Sequence, residues 1–186
     1  MFFDNPVLFE VAVLPRVQKF IRTKLTDEAG QQHPMLVDPS ALGPGLMLWA
    51  MAQSEKVHLF TNWDGERSKT RRFDPAPLTG RIGVGIQEFH PSRHQYLLNA
   101  AEQWVFTNMV TYMIRNELVQ YCEAEPGVPP IQRIKAFCDH YDFSEQDFTE
   151  QALRQMYLRH RKQVGAHGFS VHVNQNFTFV PMRLAA

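Results

Sequence analysis

Residues 131–162 read IQRIKAFCDHYDFSEQDFTEQALRQMYLRHRK, and this stretch predicts two short helices joined by a tight turn. At about 100° per residue, the apolar side chains of its first half fall within roughly 120° of arc, which is typical of a helix that packs on a core. In the second half, apolar and basic residues occupy opposite sides of the helical wheel. The stretch therefore predicts a helical hairpin of the helix-turn-helix kind. The first apolar stripe consists of Ile131, Ile134, Phe137, Cys138 and Tyr141.

The predicted turn between the two helices is Asp142-Phe143-Ser144. Ser144 is followed three residues later by Asp147, which is close to the spacing of a capping box. In that motif two side chains satisfy the free N–H groups at the start of a helix. We therefore expect Ser144 to cap the second helix.

Four basic residues of the second helix are candidate contacts to nucleic-acid phosphates. In a helix-turn-helix protein the second helix meets the major groove or the backbone of DNA. The start of this helix is acidic, however, and carboxylates there repel phosphates while they suit the helix dipole. The sequence therefore leaves both nucleic-acid contact and a plain structural hairpin open. The candidate residues are Arg154, Arg159, Arg161 and Lys162, and the acidic ones are Glu145, Asp147 and Glu150.

A second basic site lies in the polar stretch 62–77, where residues 66–73 read ERSKTRRF. A loop or β-hairpin arm of this composition can touch phosphates. The alternative is a solvated loop, since most short charge runs have no ligand. The candidate residues are Arg67, Lys69, Arg71 and Arg72.

The longest periodic segment runs from about His94 to Glu123 and predicts a long helix. Its apolar residues cover nearly the whole circumference, so the helix is expected to be buried on several sides, in its own domain or against a partner chain. The apolar helix 96–123 is therefore the surface through which the chain would self-associate as a homo-oligomer or assembly protein.

The remaining elements predict an α+β fold. Residues 7–14, 56–61 and 81–89 have strand patterns. A helix pattern begins at Pro15 and is ended by Glu28-Ala29-Gly30, and residues 31–45 have the composition of a loop. Leu46–Met51 is apolar on all sides, so its period fits a strand or a buried helix, and its Leu, Met and Ala favour a short helix. Gly83 and Gly85 suggest that something packs closely on one face of a strand. Phe169–Val173 and Phe177–Val180 predict a terminal β-hairpin. We expect a small, mostly antiparallel sheet with a long central helix, a C-terminal helical hairpin and a terminal β-hairpin.

Length and composition indicate one globular domain covering residues 1–186. Possible subdivisions are a strand and helix core at 1–125, the helix-turn-helix-like unit at 128–163 and the β-hairpin at 168–181. The 19 basic and 19 acidic residues balance to zero formal charge, which argues against a surface that coats nucleic acid as a whole. Without a signal peptide or a long apolar run, we expect a cytoplasmic protein with no membrane partner. Cys122 and Cys138 are expected to be free thiols.

Motifs for catalysis, cofactors and metals are absent from the sequence. The glycines at 80, 83 and 85 do not follow a strand as a dinucleotide loop requires, and the spacings of His and Cys do not match a zinc site. Glu88 and His90 are one acid and base pair of interest, with a surface ion pair as the alternative. We expect no cofactor and no metal, and the protein is interpreted as a non-enzyme.

Two stretches resemble small accessory proteins of bacterial phages and other mobile elements. The first is VLPRVQKFIRTKL at 13–25 followed, after a loop, by SALGPGLMLWAM at 40–51, and the second is residues 134–162. Together they cover under half of the chain. The resemblance implies a mobile-element context and DNA-associated relatives, but it assigns no functional residue.

These observations lead to one functional hypothesis and one alternative. The hypothesis is a non-enzymatic nucleic-acid-binding accessory or regulatory protein of a phage or mobile element, with DNA or RNA as its partner. The alternative is a self-associating assembly or structural protein that uses the apolar helix 96–123.

Overall fold

The computed structural model describes residues 7–38, 43–52, 74–87, 89, 98–124, 127–167 and 179–182, with 163–167 described by backbone alone. These residues form an α+β fold with five helices and a small three-stranded mixed sheet, so the predicted fold class is confirmed. In chain order the elements are β1 Val7–Val13, α1 Pro15–Leu25, β2 Met35–Leu36, α2 Pro44–Met51, β3 Gly80–Ile86, α3 Ala100–Glu123, α4 Pro130–His140 and α5 Glu150–His167.

The chain divides into two compact units. Unit 1 comprises residues 1–110 and 177–186, and unit 2 comprises residues 111–176. The boundary falls inside α3, between Val110 and Thr111. The predicted single domain and its subdivisions stay predictions.

The sheet of unit 1 has β3 in its centre, in the order β1-β3-β2. β1 runs antiparallel to β3, with Val7 opposite Ile86 and Val13 opposite Gly80. β2 runs parallel to β3 over two residues, so most of the pairing is antiparallel, as predicted. The alternation of the sequence explains why the sheet has a covered face, because Val11, Val13, Ile82, Val84 and Ile86 are all buried.

Helix α1 supplies much of the cover for unit 1. Its apolar stripe recurs at spacings of three and four, and all four members are buried: Val17, Phe20, Ile21 and Leu25. Pro15 opens the helix at its first position, where its missing N–H has no partner in any helix. The predicted helix and its start at Pro15 are confirmed, but the helix ends at Leu25, earlier than the predicted end at Glu28-Ala29-Gly30.

Residues near the chain end join the sheet beside β2. The N–H of Leu36 donates to the carbonyl of Val180, and the N–H of Met182 donates to the carbonyl of Pro34, both at 2.8 Å. The predicted β-hairpin at 168–181 lies largely outside the described residues. The predicted strand 56–61 lies outside them altogether.

The glycines of β3 differ in how closely they are approached. A Cβ built on Gly85 would overlap the side chain of Met182, whereas one on Gly83 would meet only Pro34, at 3.8 Å. The predicted close packing is thus confirmed at Gly85. A tighter approach occurs at Gly45 in α2, where a Cβ would lie 2.6 Å from the carbonyl oxygen of Leu36.

Helix α3 begins later than predicted. Asn99 is not helical, and its side chain accepts a 2.9 Å hydrogen bond from the N–H of Glu102. Glu102 reciprocates, because its carboxylate accepts the N–H of Asn99 at 2.8 Å. This is a capping box, and it starts the helix at Ala100, so the predicted span 96–123 is too long at its N-terminal end.

Unit 2 contains the predicted helical hairpin, α4 and α5. Helix α4 ends in a Schellman motif, in which the N–H of Phe143 donates to the carbonyl of Cys138 at 2.8 Å. Asp142 takes the left-handed conformation that this motif requires, with φ of 53°. Three members of the predicted core stripe are buried, Ile134, Phe137 and Tyr141, whereas Ile131 and Cys138 are half-buried.

The predicted cap of the second helix is wrong by five residues. Ser144 and Asp147 do bond to each other, through the N–H and the hydroxyl of Ser144, at 2.9 and 2.8 Å. These bonds close a separate turn, however. Helix α5 starts at Glu150, where the hydroxyl of Thr149 accepts the N–H of Ala152. Thr149 satisfies the free N–H group and is therefore the cap.

None of the helices within the described ranges combines the length and the apolar composition needed to cross a bilayer. The predicted cytoplasmic location stays a prediction.

We predict that Gly45→Ala lowers the free energy of unfolding by about 1–3 kcal/mol, because the added methyl group collides with a backbone oxygen that cannot turn away. Gly83→Ala is the matched control and should change it by less than about 0.5 kcal/mol. Urea unfolding followed by circular dichroism measures both. Equal stability of the two variants would contradict the close approach at Gly45.

Glu102 predicts a pH dependence of stability. Only 1% of the residue is exposed, and burial raises the pKa of its carboxyl above the usual range, against a smaller lowering by its bond to Asn99. The folded state therefore binds this proton more tightly than the unfolded state. As pH rises from the unfolded pKa, about 4.3, through the higher folded pKa, the contribution of Glu102 to stability falls.

We accordingly expect Glu102→Gln to flatten this dependence and to be at least as stable as the wild type at pH 7, since glutamine still accepts the capping bond. Glu123→Gln, at the exposed end of the same helix, is the control. Urea unfolding from pH 4 to pH 8 gives the comparison. A large loss of stability at pH 7 in Glu102→Gln alone would refute the explanation.

Candidate functional site

An open groove in unit 2 is the candidate site. Its volume is about 440 Å³, and it runs between one stripe of α3 and one stripe of α5. Each stripe repeats at positions i, i+3, i+4 and i+7, the spacing that places side chains on one side of a helix. The α3 stripe is Tyr112, Arg115, Asn116 and Val119, and the α5 stripe is Ala152, Gln155, Met156 and Arg159; Phe148, Leu153 and His160 complete the lining.

The groove has an apolar floor and a polar, cationic rim. Val119 and Leu153 are buried, while Arg115, Gln155 and Arg159 are exposed. Tyr112 is 60% exposed, the highest value among the large apolar and aromatic side chains of the described residues. None of the described residues that line the groove carries a carboxylate. Its electrostatic character is therefore that of a site for an anion with an apolar or aromatic part.

The rim side chains are not engaged in other interactions. Arg115 and Arg159 make no ion pair or hydrogen bond within the described residues, and the same holds for the amides of Asn116 and Gln155. Two guanidinium groups and two amides are thus available to a ligand. Guanidinium groups bind phosphates and carboxylates through paired N–H donors.

His160 has an unused hydrogen-bonding atom. Its Nε2 is covered from solvent and has no hydrogen-bond partner in the described part of the chain. A buried polar group in this state costs about 1–3 kcal/mol. Because His160 lines the groove, a ligand that hydrogen-bonds this nitrogen would remove that cost.

The core of unit 2 positions both walls of the groove. Phe137 of α4 packs edge-on against Tyr121 of α3, with ring centroids 5.7 Å apart, and against Tyr141 at 5.0 Å. Phe143 stacks on Tyr141 and packs edge-on against Phe148, which lies just before α5. The phenol of Tyr141 donates a hydrogen bond to Glu117. Burial raises the pKa of the Tyr141 phenol, and the hydrogen bond to Glu117 raises it further. The phenol therefore keeps its proton and remains a donor.

The four predicted contacts on α5 do not share one surface. Arg159 lines the groove, but Arg154, Arg161 and Lys162 do not. At about 100° per residue, Arg154 and Arg161 lie roughly 140° and 160° around the helix from Arg159, and Lys162 about 60° from it. All four side chains are exposed. The predicted cluster is therefore divided between the groove side and the opposite flank.

The acidic residues near the start of α5 have structural partners. Asp147 accepts both bonds from Ser144, and Glu150 lies 3.9 Å from the ammonium group of Lys135 in α4. Glu150 is close on the helical wheel to Arg154 and Arg161, so their flank carries charges of both signs. The groove side of α5 lacks this mixture. The predicted loop contacts Arg67, Lys69, Arg71 and Arg72 lie outside the described residues.

Tyr112, Arg115 and Asn116 were missed from the sequence. The apolar residues of the long helix dominate its pattern and obscure the narrow polar stripe between them. The helical spacing in the sequence does show this stripe. Tyr112, Arg115 and Asn116 lie on one side of α3, and Val119 is the aliphatic residue that shares that side.

A second cavity, in unit 1, surrounds the turn after α1 and has a volume of about 590 Å³. Asp27 accepts hydrogen bonds from the N–H groups of Ala29 and Gln31 and contacts Nε2 of His33 at 2.9 Å. The bond to His33 is the largest cause that lowers the pKa of Asp27. The pair closes the turn, which is a structural role. The predicted pair Glu88 and His90 lies outside the described residues.

The thiols and potential metal ligands do not form a site in the described residues. No group of three or more His, Cys, Asp or Glu side chains there is placed to hold a metal ion. Cys122 is buried and Cys138 half-buried, and both are free. Burial raises the pKa of Cys122 to about 11, although the charge of Arg133 partly lowers it. A thiol in this state is a poor nucleophile.

Comparison with family models, curated proteins and solved structures found no match to this chain.

We predict that iodoacetamide at pH 8 modifies Cys138 before Cys122, because Cys138 is more accessible and a thiolate is the reacting species. Mass spectrometry of timed samples measures both rates, and Cys138→Ser and Cys122→Ser identify each product. In guanidinium chloride the two rates should converge. Faster modification of Cys122 in the native protein would contradict its burial.

Proposed function

We propose that this chain is a non-enzymatic nucleic-acid-binding accessory or regulatory protein, and that the groove of unit 2 carries the contact. The observation behind the proposal is a groove with Arg115 and Arg159 on its rim and Tyr112 exposed beside them, in which no described lining residue carries a carboxylate. Arginine side chains contact phosphates, and aromatic side chains stack on bases. The setting in a phage or mobile element rests on the resemblance of residues 13–25, 40–51 and 134–162.

The zero net charge favours a local contact over a general one. With 19 basic and 19 acidic residues, the whole surface has no excess of charge to attract a polyanion. Binding would therefore depend on the few cations that lack a carboxylate neighbour. Arg115 and Arg159 meet this condition among the described residues.

The alternative is self-association through α3 as an assembly protein. Tyr112 supports it, because a large aromatic side chain that is 60% exposed can enter an interface. Most apolar side chains of this helix are buried within the chain, among them Phe106, Val110, Ile114 and Leu118. This leaves α3 with little apolar surface for a partner, so nucleic-acid binding has the better support.

We predict that labelled oligonucleotides bind with an affinity that falls steeply between about 50 and 200 mM salt. Arg159→Glu and Arg115→Glu should each weaken binding by about tenfold or more, and Arg159→Ala should reduce the salt slope by about one. Fluorescence anisotropy with duplex DNA, single-stranded DNA and single-stranded RNA measures these effects.

Arg154→Glu is the matched control, because it makes the same charge change on the same helix but on the flank away from the groove. A smaller effect of Arg154→Glu locates the contact in the groove. An equal effect would mean that charge alone, rather than the groove, attracts the ligand. Absence of binding at low salt would refute the proposed function, and sedimentation would then test self-association.

A further inference from the structure

The groove has the chemistry to hold a nucleobase as well as a phosphate. This inference rests on the proposed function and deepens it. We propose that the groove receives one unpaired base of a single-stranded nucleic acid, while Arg115 and Arg159 contact the phosphates on either side of that base.

Tyr112 provides the surface on which the base stacks. Its ring is the most exposed aromatic surface of the described chain, and it belongs to the lining of the groove. A large exposed aromatic ring tends to lower solubility. At a cationic site, however, it can stack on the face of any nucleobase. Nearby Arg115 can add a planar guanidinium group to the same face of α3.

Three further side chains can read the edge of the base. Asn116 and Gln155 each carry a donor and an acceptor that are unused in the described residues, and amides of this kind pair with base edges. Nε2 of His160 is covered from solvent and also lacks a partner. Phosphate alone would leave these groups without a role, whereas a base offers donors and acceptors in its plane.

The volume of the groove and its apolar floor favour a single strand over a duplex. A volume of about 440 Å³ is within the usual range of about 300–1,000 Å³ for small-ligand sites. Val119, Leu153 and Met156 give the groove an apolar floor, which suits the faces of an unpaired nucleobase. A duplex keeps those faces stacked inside, so it can reach only the charged rim.

An acidic peptide shares only part of this chemistry. Its carboxylates would pair with the two arginines, but its aliphatic stems would not use the ring of Tyr112 or the planar amides. The combination of aromatic ring, guanidinium groups, amides and imidazole in one lining is the reason for preferring nucleic acid.

The test compares three probes with the same number of phosphates: a single-stranded oligonucleotide, a strand of equal length whose sugars carry no bases, and a duplex of half that length. Anisotropy at one fixed salt concentration gives each affinity. We expect the strand with bases to bind about tenfold more tightly than the other two, because only it can place a base in the groove. Tyr112→Ala should remove this advantage, because the base then has no aromatic ring on which to stack.

Tyr112→Phe and Leu158→Ala are the controls. Phenylalanine keeps the stacking ring and should preserve the preference. Leu158 is 51% exposed on α5 and lies outside the groove lining, so its truncation removes exposed apolar surface without touching the site. Thermal unfolding of each variant confirms that the fold is retained.

The outcomes separate this inference from the proposed function. Equal binding of all three probes, unaffected by Tyr112→Ala, would overturn the base pocket and leave nucleic-acid binding in place. No binding of any probe at low salt would overturn both. Displacement of the single strand by poly-glutamate as effective as that by unlabelled strand would also overturn the inference, because the groove would then be a general site for anionic chains.

Discussion

Phe137 and Tyr141 form the packing centre from which the candidate site is organised. Phe137 touches Tyr121 of α3 with one edge and Phe143 of the turn with another, while the phenol of Tyr141 is tied to Glu117 of α3. These contacts fasten the end of α4 to α3 and hold Phe148 in front of α5. The start and the direction of α5 are thereby constrained, and the groove is the space that remains between the two outer stripes.

The groove remains open because the side chains that face it are either small or polar. Ala152 is too small to fill the space opposite α3. The polar side chains of the rim do not pack onto the apolar floor of the groove, because burial would cost them their hydration; they are Asn116, Gln155, Arg115 and Arg159. A leucine at any of these positions would close the gap with ordinary core packing. The chain instead keeps a concave polar surface beside a dense aromatic core, and such a combination is typical of ligand sites.

The sequence was sufficient for β1 and β3, for α1 and for the hairpin of α4 and α5, because each has a clear period. It missed β2, since the two residues Met35 and Leu36 are too few to show a period and lie in a stretch with the composition of a loop. It failed where two signals competed. Ser144 and Asp147 have capping spacing, yet Thr149 forms the cap five residues later. Asn99 and Glu102 also have that spacing, but an apolar run upstream obscured it. The basic residues of α5 are close in sequence, and only the helical period separates Arg159 from Arg154 and Arg161. The stripe that contains Arg115 can be read from the sequence, but its pairing with α5 across a groove is a tertiary event that no local pattern predicts.

The continuity of α3 has a consequence for the history of this chain. Modular proteins usually exchange parts at exposed linkers, where a cut leaves both pieces with complete backbone bonding. Here the boundary between the two units falls at Val110 and Thr111, in the middle of a helix. A cut at that point would leave four N–H groups and four carbonyl groups without helical partners on its two sides. We therefore expect the two units to be inherited together, because exchange at this boundary would disrupt the backbone bonding of α3.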